Sequence, residues 1–393
     1  LTGNQEIPNS QWRGTFALGG GDNNYLGRLG GSAARLANPG LSWESNLQTD
    51  IGLDLSMFNN RVQVTADVFN KESRDMLLSV GLPLSSGFGS VFGNVGRMRN
   101  RGLELALTTR NLTGKFKWET NFNIAFIQNK VLALADSLPI RAGANTFQTG
   151  SGMYFAVFDR EPNVNPATGF VVRRNINNDR NGDGAPIFDD RDLVNAGSPL
   201  PVHFGGITNT FSYAGFDLSA FFQWSYGNKI YNATRQIMEE LTFNGTVGSF
   251  NNSSVEALTR WRQAGDMTAQ HRVSYDGDAG RANLGYGSTR YVEDGSFLRL
   301  KSLNLGYTLP GTLVKRLGFS SVRVYATASN LLTFTNYKGY DPEVSANFGG
   351  STQQQQSSGG GLGARLNNNL LIGIDNGSFP QTRTILFGLN VNF

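Results

Sequence analysis

Residues 384–393 read Thr-Ile-Leu-Phe-Gly-Leu-Asn-Val-Asn-Phe. Ile385, Phe387, Leu389, Val391 and Phe393 fall on one side of an extended chain. Thr384, Gly388, Asn390 and Asn392 fall on the other. Successive side chains of a strand point to opposite faces, so this spelling gives a strand with one apolar and one mostly polar face. Working upstream, the spelling recurs. Leu303, Leu305, Tyr307 and Leu309 oppose Ser302, Asn304 and Thr308, and Phe216, Leu218, Ala220, Phe222, Trp224 and Tyr226 oppose Asp217, Ser219, Gln223 and Ser225. Phe116, Trp118, Phe122, Ile124 and Phe126 face away from Lys117, Glu119, Asn121 and Asn123. Val62, Val64, Ala66 and Val68 alternate with Arg61, Gln63, Thr65 and Asp67, and Leu47, Ile51, Leu53, Leu55 and Met57 with Gln48, Asp50, Asp54 and Ser56. Shorter runs at 102–110, 206–213 and 322–329, with a weaker one at Trp12, Phe16 and Leu18, bring the expectation to about ten strands.

Composition narrows the class. The chain has 393 residues, 49 Gly, 12 Pro and no Cys, which rules out disulfides, thiolate zinc sites and iron–sulfur clusters. No window holds 18 consecutive apolar residues, so no helix of the ordinary kind crosses a membrane. Lys+Arg 34 against Asp+Glu 30 leaves +4, too small a balance to argue for a nucleic-acid partner. The chain begins at Leu1 without an initiator Met or a charged-then-apolar leader, and is expected to be mature, processed or truncated.

The connections say more than the strands. Turns at Asn59-Asn60, Asn111–Gly114 and Ala214-Gly215 are tight, and the one at Pro310–Phe319 is short; between these hairpins lie long connections at 73–100, 128–204, 228–295 and 332–379. Short and long alternate without exception. A β-propeller would repeat at about 40–50 residues, whereas hairpins here begin near 46, 101, 205 and 296. A soluble sandwich has no reason to keep every long loop at one end. A transmembrane barrel does, with short periplasmic turns, long extracellular loops and strands of about ten residues. The expected fold is all-β: an antiparallel transmembrane β-barrel, or a large part of its wall. With long loops outside, strand 60–70 runs outward, strand 384–393 runs inward, and Phe393 ends on the periplasmic side.

Several motifs resemble the SusC/RagA family of TonB-dependent outer-membrane transporters. They are Asn38-Pro39-Gly40-Leu41-Ser42-Trp43-Glu44; the N-x-G-x-x-x-N-x-G-x-E run at Asn94, Gly96, Asn100, Gly102 and Glu104; Asp294-Gly295-Ser296-Phe297-Leu298-Arg299-Leu300-Lys301; Ser329–Thr333; Asp341-Pro342-Glu343; and Phe379-Pro380 before Arg383. They span residues 38–393 in order. The resemblance implies a 22-stranded barrel of which residues 1–393 supply roughly the last ten strands, with the N-terminal plug and TonB box lying upstream. It implies an outer-membrane location and energised import of oligosaccharides or oligopeptides. The implied partners are a SusD-like surface lipoprotein, TonB–ExbB–ExbD acting through the upstream region, outer-membrane lipid, and a glycan or peptide cargo. A non-transporting adhesive or structural barrel, or a porin-like one, is the alternative in another class. The resemblance also marks Phe393 as the C-terminal signal for barrel assembly; as sequence alone it is the last girdle residue.

One local motif has metal-like spacing. Asp179, Asn181 and Asp183, with Gly184 and then Asp190, place oxygens at positions 1, 3, 5 and 12 of a calcium loop. Pro186 sits where an aliphatic residue is usual, and Asp190 reaches less far than the usual Glu; the competing reading is a solvated Asx-rich turn. His203 and His271 are isolated, and Gly359–Gly363 lacks the strand and Lys-Ser/Thr of a phosphate loop. No nucleophile elbow or paired-carboxylate pattern is present, so no enzymatic activity is expected. Trp43, Phe58, Phe69, Trp118, Trp224, Tyr226 and Tyr307 read as interfacial girdle. Tyr154, Phe155, Trp261, Tyr286 and Tyr340 in the loops read as wall or loop packing, or as platforms for a sugar or peptide.

Overall fold

The computed structural model describes residues 2–3, 12–18, 24–25, 28–88, 90–135, 139–142, 145–182, 184, 186–239, 241–243, 252–275, 287–316, 318–344 and 371–393. Ten strands form one sheet: β1 (Thr2–Gly3), β2 (Ser45–Met57), β3 (Val62–Gly81), β4 (Ser90–Thr113), β5 (Lys117–Ala133), β6 (His203–Tyr213), β7 (Phe216–Tyr226), β8 (Phe297–Thr308), β9 (Ser321–Thr335) and β10 (Thr384–Asn392). Spatial order follows chain order, and every pairing is antiparallel. β1 and β10 are the edges of this arc of wall.

The tenth strand is not the one expected. Thr15–Leu18 pairs with Gly31–Arg35 in a separate two-stranded ribbon, and Thr2–Gly3 takes the place beside β2. Thr15–Leu18 is four residues long and spends its pairing on that ribbon, not on the wall. The second difference is at 73–100. Most of this expected loop is ladder, with Met76–Gly81 pairing back onto Ser90–Gly96 and the turn held to 82–88 among the described residues. Val80, Val91 and Phe92 are good strand formers, Met76, Leu77 and Leu78 add apolar side chains beside them, and the ladder stops only near Pro83, which has no N–H to give it. A register break between Ser73 and Met76, with Asp75 at φ 54°, marks where this overhang leaves the straight wall. Likewise β5 runs on to Ala133, past the expected boundary at 128.

The outer face carries two aromatic levels. Toward the tight turns, Phe116 and Trp118 stack on Phe211, and Phe216 lies 4.3 Å from Tyr307. Toward the long connections, Phe126, His203 and Tyr226 form a row with centroids 5.5 and 5.0 Å apart, and Trp224 donates its indole N–H to His203 Nδ1. Between the two levels the outward side chains are aliphatic or aromatic, such as Leu103, Leu105, Leu107, Phe122 and Ile124. This is the apolar band with two girdles of a membrane barrel. Phe69 departs from the expected girdle set: its ring lies over the bare Cα of Gly102, on the opposite, lumen side.

The lumen face is polar. Thr65 donates to Asp54, Thr108 to Asn121, and Gly206 N–H to Asn123 Oδ1. Near the tight-turn end Arg323 on β9 reaches Asp217 on β7 across the intervening strand, at 2.5 and 3.1 Å. It can do so because β8 offers Gly306, where a Cβ would stand within 2.6 Å of both partners.

Single-cysteine labelling of the protein in membranes tests the register of the last strand. Phe387→Cys and Leu389→Cys should be quenched by lipid-soluble probes and resist aqueous reagents, while Asn390→Cys should react from the lumen. Aqueous labelling of Leu389→Cys would overturn the assignment of faces.

Candidate functional site

The mouth of the lumen is the built site. Gln223 and Arg299 are direct partners on β7 and β8 and both point inward near the long-loop end. Arg299 is 1% exposed and is the largest fully buried side chain of the described residues. Its Nη2 donates to Asp341 Oδ1 and its Nη1 to Glu343 Oε2, each at 2.5 Å. Lys301 adds a 2.9 Å contact to Glu343. Asp341 closes the knot by accepting the backbone N–H groups of Glu343 and Gln381 at 2.9 Å. A buried guanidinium costs several kcal/mol unless paired, so this pairing fixes the chain after β9 and the chain before β10 onto the wall. Burial alone would raise the Asp341 carboxyl. The guanidinium of Arg299 and the two amides outweigh that and hold it below the usual carboxylate range.

A bulge helps to present Arg299. The ladder slips between Leu300 and Ser302 on both sides of β8, and opposite it Asn330 adopts a left-handed φ of 53°. Asn330 then donates its amide to Thr382 O, a second tie between β9 and the chain entering β10.

Two further motifs clamp each other on the other side of the arc. Asn94 donates to the carbonyls of Ser42 and Asp75, and its Oδ1 accepts from Ser42 N. Asn38 donates to Phe92 O, and Glu44 accepts from Leu77 N. The segment 38–44 is thereby fastened to the overhang of β3 and β4.

Above the lumen, the long connections fold into a cap. Lys229–Asn232 pairs with Val292–Asp294 and, in parallel, with Ile374–Asp375. Phe155, Val157, Tyr231, Tyr291 and Ile374 make its apolar core. The short helix Ala233–Glu239 starts at Asn232, whose Oδ1 accepts Arg235 N–H. It carries Glu239, 1% exposed, between Arg235 at 2.6 Å and Arg290 at 2.7 Å, with Arg235 also reaching Glu293 at 2.8 Å. Nearby, burial lowers the Arg160 guanidinium to about 10, helped by the charge of Arg290. Burial likewise lowers His271, and Arg160 and Arg290 act in the same direction, so it sits neutral in the cap at neutral pH.

The residues singled out in the sequence are placed as follows. Asp179 gives Oδ2 to Arg191 and to Asn177 Nδ2, while its buried Oδ1 has no hydrogen-bond partner. Asp189 caps Asp190–Asp192 and also holds Arg191. Asp183 lies outside the described residues, as do Tyr286 and Gly359–Gly363. Among the described residues no group of three or more acidic, His or Cys side chains gathers around one point. The guanidinium of Arg191 lies between the carboxylates of Asp179 and Asp189, where a bound cation would be attracted. His203 belongs to the girdle. Phe155 is core with no exposed surface, and Trp261 donates to Pro166 O, packing over Gly169, so both are structural. Tyr340 is 69% exposed beside Asp341. Phe393 is exposed and meets Phe319 edge-on.

An amphipathic arc with two girdles, a polar lumen and a folded cap defines a receptor-type outer-membrane barrel. The model of the TonB-dependent receptor-like β-barrel family matches residues 6–331, and the chain belongs to that family. Its members are receptors and transporters of the outer membrane, not enzymes. TonB-dependent receptor P26 of Formosa agariphila is 32% identical over 424 residues, covering 100% of this chain and 39% of that protein. TonB-dependent receptor SusC of Bacteroides thetaiotaomicron is 25% identical over 391 residues, covering 92% of this chain and 33% of SusC. Among solved structures, the RagAB peptide transporter superposes with a TM-score of 0.75 at 26% identity, over 100% of this chain and 40% of that one. The chain therefore spans between a third and two fifths of the length of these relatives.

Arg299→Met in the full-length receptor leaves Asp341 buried without its cation and Glu343 with Lys301 alone. Loss of about 3–5 kcal/mol from the local fold is expected, read as new protease cuts within 336–344 and 371–383. Adding Asp341→Asn and Glu343→Gln should restore protection. Because the folded Asp341 carboxyl titrates below its unfolded value, its contribution is complete above about pH 4 and is lost as pH falls through the folded value. The same cuts in the unmutated receptor should appear only in acid; cutting that rises with pH instead would refute the ion-pair account.

Proposed function

We propose that this chain is the cargo-facing wall and mouth of an importer that uses TonB-coupled energy to carry oligopeptides or oligosaccharides across the outer membrane. The observation carrying this reading is the cap. Buried ion pairs at Arg299 and Glu239 hold extracellular segments over the lumen in a defined packing, which suits a gated receptor better than an open diffusion pore. RagAB, which superposes along the whole chain, is a peptide transporter, and this supports a polymer fragment as cargo. A SusD-like lipoprotein is the proposed outer partner, with TonB–ExbB–ExbD engaged through parts of the protein outside these residues. Phe393, exposed at the end of β10, is proposed as the barrel-assembly signal.

The test is uptake of fluorescent oligopeptides and oligosaccharides by cells carrying the full-length receptor and its lipoprotein, with and without TonB. Uptake of one cargo class should vanish without TonB or when the proton gradient is collapsed. Equal uptake under all conditions would favour a passive pore and sink the proposal.

Calcium in residues 179–190 is a lesser proposal. Asp179 Oδ1, buried and unpartnered, suits such an ion, whereas Arg191 competes for the neighbouring carboxylate oxygen. Removing the competitor with Arg191→Ala should increase the calcium-induced rise in melting temperature, and Asp179→Ala should abolish it. A receptor whose melting ignores calcium in all three forms would end the idea.

A further inference from the structure

β4 carries an arginine at every second position: Arg97, Arg99 and Arg101. Alternation puts all three on one face of the strand. It is the outer face, because the same series continues as Leu103, Leu105 and Leu107, which pair with Phe126, Ile124 and Phe122. The residues between them, Asn100 and Gly102, point into the lumen with Phe69 and Asn129. One strand face thus changes from aliphatic to cationic in a single step.

The height of that step is fixed by the neighbouring strand. Leu103 pairs with Phe126, which belongs to the outer aromatic row with His203 and Tyr226. Arg101 is the next position outward and shares its row with Gln128, whose Oε1 accepts from Arg101 Nε at 2.7 Å. One row further out, Arg99 stands between Glu72 on β3 and Lys130 on β5. Arg74 and Arg97 lie beyond them. Glu72 contacts Arg74 at 2.8 Å and Arg97 at 3.9 Å and is the one carboxylate in these rows; Asp75 follows at the bulge. Arg74, Arg97, Arg101 and Lys130 are exposed.

Two features ask for an anion. Five cations share one carboxylate, and Arg99 and Lys130 are direct cross-strand partners, a like-charge pairing that destabilises a sheet unless something negative lies between. The level immediately outside an aromatic girdle is that of lipid headgroups. The anion abundant there is phosphate, whose oxygens match the guanidinium fork.

We propose that the outer face of β3–β5, centred on Arg97, Arg99 and Arg101, binds the phosphate groups of outer-leaflet lipid and ties the wall to its annulus at one defined place. The ligand is recognised by its headgroup, and the acyl chains rest on Leu103, Phe126 and their neighbours.

The experiment uses the full-length receptor and a variant carrying Arg97→Gln, Arg99→Gln and Arg101→Gln, which keeps side-chain length. Both are placed in phosphatidylcholine bilayers titrated with bisphosphorylated lipid A or with its dephosphorylated form. The parent should retain the phosphorylated lipid in native mass spectra and melt higher in its presence, and the dephosphorylated lipid should do neither. At about a fivefold gain per cation near an anionic surface, the triple variant should bind about two orders of magnitude more weakly. Should it fail to fold, Arg97→Gln and Lys130→Gln alone should each weaken binding about fivefold. Equal retention by parent and variant, or equal binding of both lipids, would overturn the proposal. So would a variant that keeps the lipid but loses a co-purifying acidic protein, since the patch would then be a protein interface.

Discussion

A peptide group inside hydrocarbon has no water to bond, and leaving it unpaired costs several kcal/mol. That constraint shapes the whole wall. Each inner strand must use both of its edges for pairing, which leaves only its two faces free to vary, and so every second residue answers to lipid and the rest to the lumen. The girdles, the polar interior and the glycines that let Phe69 and Arg323 lie flat against the wall are all consequences. Even the polar side chains on the outer face obey it. Asn111 donates to Thr120, and Thr120 and the Trp118 indole both donate to Asn209, so four outward polar groups near the inner girdle satisfy one another.

Outside the membrane the organising force changes from pairing to buried charge. The cap has little helix and only short strands, and its apolar core is small. Its segments are held by Arg299 against two acids and by Glu239 against two arginines. Such pairs add little or no net stability over an apolar packing, but breaking one leaves an expensive charge behind. They therefore select one arrangement of the loops rather than merely strengthening it.

Much of the wall was legible because lipid imposes a period of two, and no soluble context sets that rule so uniformly. The overhang of β3 and β4 escaped notice for the same reason: above the membrane, Met76-Leu77-Leu78 and Val91-Phe92 need not alternate. The stretch from Trp12 to Leu18 showed a fragment of alternation, but Thr15–Leu18 spends its pairing on Gly31–Arg35. At the mouth, the Asp-Gly-Ser-Phe-Leu-Arg-Leu and Asp-Pro-Glu motifs were visible as marks of a family. Their meeting was not, because Arg299 and Asp341 lie 42 positions apart and only the ladder brings them together. The metal-like spacing at 179–190 rests on the oxygens of Asp179, Asn181, Asp183 and Asp190. Arg191, the very next residue, was the missing signal, since a fixed cation beside two acids alters what they can bind.

The bridge from Asp217 to Arg323 over Gly306 also bears on how this wall can change over generations. A salt bridge between adjacent strands can lose or gain a partner one residue at a time. This one spans a third strand and needs the gap beneath it, so any side chain at 306 collides with the pair already in place. Three positions on three strands are thus bound into one heritable unit. Drift at Gly306 becomes open only after the charges have gone, which gives this part of the lumen a preferred order of mutation.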